Sequence, residues 1–142
     1  MAKTKFKPEK RRHRFFLNPY EDVAFTKCPK CHTKTLVRKF PLVIHIEPAQ
    51  MLILNKTCKY CTKCDLIVAR KSEVEALMTA CFEDKNPEII GNEYLVMGTL
   101  EKRDWRARDT MNEDPEETIK RMFVFKDVWN FEPMSTWYLA KK

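Results

Sequence analysis

Cys28-Pro29-Lys30-Cys31 and Cys58-Lys59-Tyr60-Cys61-Thr62-Lys63-Cys64 hold five of the six cysteines of this 142-residue chain. Two cysteines separated by two residues can grip one ion, because the backbone turns tightly between them. Roughly 0.2 such spacings would arise by chance in a chain of this length and cysteine content. Three occur, so the pattern calls for a chemical reason.

Zn²⁺ supplies that reason: it takes four thiolates in a tetrahedron and has no redox chemistry of its own. Cys28 and Cys31 form one ligand pair. Cys61 with Cys64 is favoured for the other, because an apolar run follows Cys64; Cys58 with Cys61 stays open as the alternative. An iron–sulfur reading of Cys58, Cys61 and Cys64 needs a cysteine four residues after Cys64 and then a proline, where Val68 and Ala69 stand. A redox dithiol suits four clustered thiols less well than a metal does. His32 adjoins a ligand, but with five cysteines at hand it is not needed.

The turn Cys28-Pro29-Lys30-Cys31, with Thr35 following, and the stretch Cys61-Thr62-Lys63-Cys64-Asp65-Leu66-Ile67-Val68 resemble the two knuckles of the zinc ribbon superfamily, over residues 23–70. The resemblance implies antiparallel β hairpins closed by a zinc site of four cysteines. This chain departs from that pattern where His32 and Asp65 replace the glycine that often follows a knuckle. The 29 residues between Cys31 and Cys61 also exceed the usual gap of about 15–20. Zinc ribbons serve transcription, translation, enzymes and scaffolding, so the resemblance implies no single activity.

Working outward, Thr35 to Phe40 reads as a strand interrupted at Pro41, and Leu42 to Glu47 follows. A turn at Pro48-Ala49-Gln50 leads into Met51 to Leu54, so an antiparallel hairpin is expected. Leu66 to Val68 is a short return strand. Residues 72–82 read as a helix, with Ser72 and Glu75 as a capping box and Val74, Leu77, Met78 and Cys81 as its apolar face. Tyr94 to Leu100 alternates as a strand, with Tyr94, Val96 and Leu100 on one side. Asp114-Pro115-Glu116-Glu117 opens a second helix with Ile119, Met122 and Phe123 as its stripe, while Val124 to Phe131 fits either state. Trp105 is expected in the core beside a solvated edge strand. The fold class is therefore α+β: a zinc ribbon followed by a small helix–strand–helix region. Three parts are expected: a basic flexible arm over 1–22, the ribbon over 23–70, and an α+β region over 71–142 packed on the ribbon.

Charge is concentrated at the start. Residues 1–16 carry Lys3, Lys5, Lys7, Lys10, Arg11, Arg12 and Arg14 against Glu9, while the other 126 residues carry 20 basic and 19 acidic groups. Such an arm suits phosphate tracking, so nucleic acid (RNA or DNA) or a ribosomal surface is the expected partner. The alternative is a protein-interaction module using the C-terminal region, where residues 85–142 hold 8 of the 16 aromatics, including Trp137 and Tyr138. With 2 glycines, Gly91 and Gly98, no glycine-rich phosphate loop fits. No catalytic constellation stands out, and a non-catalytic protein is expected. No run of ~18 apolar residues and no signal-peptide pattern is present, so the cytoplasm, with reduced thiols, is the expected compartment.

Overall fold

The computed structural model describes residues 10–107 and 115–132. It is mixed α and β, dominated by a curled seven-stranded sheet. In chain order the elements are β1 (Arg14–Asn18), β2 (Leu36–Ile46), β3 (Gln50–Cys61), β4 (Leu66–Arg70) and α1 (Lys71–Phe82). A short 3-10 turn (Pro87–Ile89) leads to β5 (Tyr94–Thr99), α2 (Lys102–Ala107), α3 (Pro115–Arg121), β6 (Phe123–Val124) and β7 (Asp127–Val128). Among the described residues no helix is long and apolar enough to cross a membrane.

The strand order is β6-β5-β2-β3-β4-β1-β7. Its two ends, β6 and β7, are neighbours in sequence, so the sheet curls until one short segment touches both edges. On one side Phe125 N donates to Met97 O at 3.4 Å; on the other, Arg12 N donates to Val124 O at 2.9 Å, Lys126 N to His13 O at 2.8 Å and Trp129 N to Phe15 O at 2.8 Å. β1 lies between β4 and β7 and is parallel to both.

Alternation along the strands lines the inside of the curl. Phe15, Leu42, Ile44, Leu54, Tyr60, Ile67, Val96 and Phe125 belong to one buried cluster, joined by Val74 of α1. Phe15 and Phe125 stack with centroids 4.7 Å apart, binding β1 to the closing segment. β5 breaks its own alternation: Val43 pairs with Gly98 but Ile44 pairs with Val96, so Met97 is an extra residue. Met97 and Leu100 therefore pack with Val43 and Met122 on the outer face, whereas Tyr94 and Val96 face the inner cluster.

Several expectations change at this level. Residues 14–18, read as arm, are strand β1, because Phe15 and Phe16 are large enough to be buried on its two faces. The divisions at 22/23 and 70/71 are crossed by pairing of β1 with β4 and of β2 with β5. Pro41 does not interrupt β2. The two polar groups of a strand residue point the same way; Pro41 O accepts from Leu100 N at 3.0 Å, so the missing N–H falls beyond the last β2·β5 pair, Leu42 with Thr99. β4 runs straight into α1, which puts extended Arg70 at the N-cap and Ser72 inside the first turn, with no side-chain cap. The helix face that packs is Val74, Met78 and Phe82; Leu77 and Cys81 are exposed, so Cys81 is not a core thiol. The stretch around Trp105 is helix α2 instead of an edge strand, though Trp105 does pack against the Val43 cluster. α3 begins at Pro115 as expected; Asp114 lies outside the described residues. Ile119 is exposed, and Phe123 belongs to β6.

This packing can be tested at two positions. A Cβ on Gly98 would collide with the backbone carbonyl of Phe123, which neither strand can move without breaking the β5–β6 pair. Gly98→Ala should therefore destabilise by about 1–3 kcal/mol, read as a lower denaturation midpoint. Lys56 faces inward with Leu54 and Cys58, and its ammonium donates to Glu73 Oε1 at 2.7 Å and to Thr57 O at 2.6 Å. Glu73 is more than half exposed, so Glu73→Gln should cost about 1–2 kcal/mol: more than an exposed pair, less than a fully buried one. The Lys56 hydrogen bond holds the Glu73 pKa below its ordinary value. Its contribution is thus complete above the ordinary glutamate pKa and is lost as pH falls through the lowered one. Acid titration of stability should flatten in Glu73→Gln.

Candidate metal centre

The four cysteines come from two tight loops. Cys61 ends β3 and Leu66 begins β4, so Thr62 to Asp65 form the hairpin turn that carries Cys64. Cys28 and Cys31 lie in a second small hairpin, closed by the Lys27–Lys34 bridge and by Cys28 N donating to Thr33 O at 2.8 Å. The Sγ atoms of Cys28, Cys31, Cys61 and Cys64 all lie within 4.8 Å of one another. Cys31 and Cys61 are 3.5 Å apart and Cys28 and Cys64 3.9 Å. A tetrahedral tetrathiolate with metal–sulfur bonds of about 2.3 Å needs sulfurs about 3.8 Å apart, so the cluster is sized for a metal ion. The same distances are far too long for a disulfide, and all of these cysteines are free thiols.

Backbone amides already face the sulfurs. Lys30 N donates to Cys28 Sγ and Cys64 N to Cys61 Sγ, each at 3.3 Å. The hydrogen bond between Cys31 Sγ and the Thr33 hydroxyl, 3.1 Å long, is the main cause that lowers the Cys31 pKa to about 6. Burial, reinforced by the adjacent sulfurs, pushes Cys64 up to about 12, and burial raises Cys28. Four thiolates repel one another at this spacing, and a bound cation removes the repulsion.

Each loop turns through a left-handed residue directly after its second cysteine. His32 has φ 68° and Asp65 has φ 57°, the conformation for which glycine is usually needed. Both departures from the family pattern thus keep the backbone shape while changing the side chain. At Asp65 that side chain is engaged: Oδ1 accepts from His13 Nδ1 and from the Tyr60 hydroxyl, each at 2.6 Å, and Oδ2 pairs with Lys126 Nζ at 2.8 Å. Burial would raise the Asp65 pKa, but hydrogen bonds from Lys126, Tyr60 and His13 outweigh it and hold the carboxyl well below the usual range. Burial lowers His13 against the pull of Asp65 and pushes Tyr60 up to about 12.

The structure separates the cysteines that spacing left open. Cys58 is buried in the inner cluster, its thiol 3.4 Å from Lys56 O and pushed up to about 12 by burial, and it stands apart from the four. His32 is exposed and outside the group. The basic candidates divide. Lys3, Lys5 and Lys7 lie outside the described residues. Lys10 and Arg12 sit over the Phe123 ring, Arg12 also reaching Glu101 at 3.7 Å, and Arg11 is exposed. Arg14 is structural: its Nη1 donates to Cys64 O at 2.6 Å and its guanidinium lies over Trp129. Trp129 and Phe131 pack beside the ligand loops; Trp137 and Tyr138 lie outside the described residues. The role of Asp65 was hidden in the sequence, because its partners at positions 13, 60 and 126 share no spacing with it.

Compared with known proteins, the chain matches no family model, no curated protein and no solved structure.

Cys61→Ser and Cys64→Ser should each abolish stoichiometric metal binding by elemental analysis. Cys58→Ser should keep full metal content while losing about 1–2 kcal/mol of stability, since it puts a hydroxyl into an apolar cluster. Cys81→Ser should change neither quantity.

Proposed function

We propose that the four cysteines hold one structural Zn²⁺ in a zinc-ribbon-like site, and that the protein is a non-catalytic binder of nucleic acid or a ribonucleoprotein surface. Zinc is the choice because an all-thiolate tetrahedral set suits it and leaves no open coordination position for catalysis. The observation that carries the binding reading is the placement of Lys27, Lys30, Lys34 and Lys63. All four are exposed on the two loops that bear the cysteines. The metal would thus fix cations as well as backbone, and the basic run from Lys3 to Arg11 would supply further cations for the phosphate backbone.

Arg14 is bonded to Cys64 O and Arg12 already faces Glu101, so the salt test is confined to the other five cations of the run: Lys3, Lys5, Lys7, Lys10 and Arg11. For single-stranded RNA, full engagement of five cations gives a slope of log K against log[salt] of about −3.5. Replacing these five with glutamine should remove most of that slope while leaving zinc content and thermal stability unchanged. Failure of the intact protein to bind RNA or DNA at about 50 mM salt overturns the reading.

A further inference from the structure

A cleft of about 310 Å³ lies where β2 runs on past the end of β5, with His13, the partner of Asp65, in its lining. Arg12, Arg38, Lys39, Lys102 and Arg103 line it, against the single carboxylate of Glu101. These residues come from three places: the stretch entering β1, the lower half of β2, and the start of α2. Glu101 is shared, 3.7 Å from Arg12 and 3.5 Å from Arg103. Among the described residues Arg38, Lys39 and Lys102 have no carboxylate partner.

Two of the arginines lie over aromatic rings. The Arg38 guanidinium lies 5.0 Å from the Phe40 ring centroid and 5.1 Å from that of Tyr60, and Arg12 lies 5.2 Å from Phe123. A cation–π contact uses the flat face of the guanidinium and leaves its N–H edge available. The rings are themselves fixed: Phe40 and Tyr60 belong to the inner cluster, and the Tyr60 hydroxyl is bonded to Asp65. The cleft thus presents a surplus of positive charge, with two of its guanidinium groups braced on rings.

We propose that this cleft binds a phosphoryl group. Cations line it from three elements, which suits the tetrahedrally arranged oxygens of a phosphate better than the two coplanar oxygens of a carboxylate. Mutual repulsion of the cations, offset by one shared glutamate, is relieved when a phosphate anion enters. The phosphoryl group comes either from a nucleic-acid backbone, in which case the inference deepens and rests on the reading above, or from a small phosphorylated ligand.

The test uses the full chain with zinc bound and two probes, inorganic phosphate and a ten-nucleotide single-stranded RNA, followed by amide chemical-shift titration. The double variant Arg38→Ala/Lys39→Ala changes two exposed side chains, and its melting midpoint and zinc content serve as the folding control. It should weaken phosphate binding tenfold or more. Glu101→Gln should tighten phosphate binding, a gain that a merely structural role for Glu101 would not produce. If RNA affinity drops in parallel in Arg38→Ala/Lys39→Ala, the backbone is the source. If phosphate binding depends on the cleft while the intact protein binds no RNA, the cleft stands as a small-ligand site and the nucleic-acid reading falls. If Arg38→Ala/Lys39→Ala leaves both affinities within twofold of the parent, the cleft proposal is overturned, even where substitution of Lys3, Lys5 and Lys7 still weakens RNA binding.

Discussion

The carboxylate of Asp65 is where the cysteine loops and the closure of the sheet meet. It follows Cys64 directly, and its two oxygens receive His13 ahead of β1, Tyr60 of β3 and Lys126 between β6 and β7. Two of these donors are largely buried, so leaving them unpaired is costly, and the network stands or falls as a unit. A change in the turn that carries Cys64 withdraws the acceptor from all three. The shape of that cysteine-bearing turn and retention of the first and last strands are therefore coupled through one side chain.

That coupling explains how so few regular elements make a defined surface. The inner cluster fixes Phe40 and Tyr60, which support Arg38. The cysteine loops carry lysines beside the four thiols, and Arg14 spans from β1 to the carbonyl of Cys64. Positive charge is set out on a rigid frame at two separate places. An electrostatic surface of this kind binds with less ordering cost than a flexible tail would.

Much of the site and part of the fold were legible in the sequence. The pairs at 28/31 and 61/64 announce themselves by spacing, because metal ligands must sit on tight local turns. The β2–β3 hairpin is visible because its alternation and its three-residue turn are local too. β1 escaped because five residues beside a cationic run carry little periodic signal, and their partners lie in β4 and β7. The switch of Leu100 to the outer face escaped for a different reason. One extra residue at Met97 inverts the alternation, and no residue type marks the spot. The helix cap at Ser72 failed because a strand feeding directly into a helix sets the first turn by tertiary geometry.

The parallel placement of β1 against β7 also has a temporal side. The Tyr20 hydroxyl bonds to the carbonyl of Phe131, 111 residues further along the chain. At typical rates of synthesis, about 5–20 residues per second, the ribosome needs roughly 5–20 s to supply that partner. Throughout the interval the edge of β1 is a bare template beside Phe15 and Phe16, the kind of edge that recruits neighbouring chains. Lys10, Arg11, Arg12 and Arg14 stand at the mouth of that edge. Cations in that position are the kind of charge that opposes edge-to-edge pairing between copies.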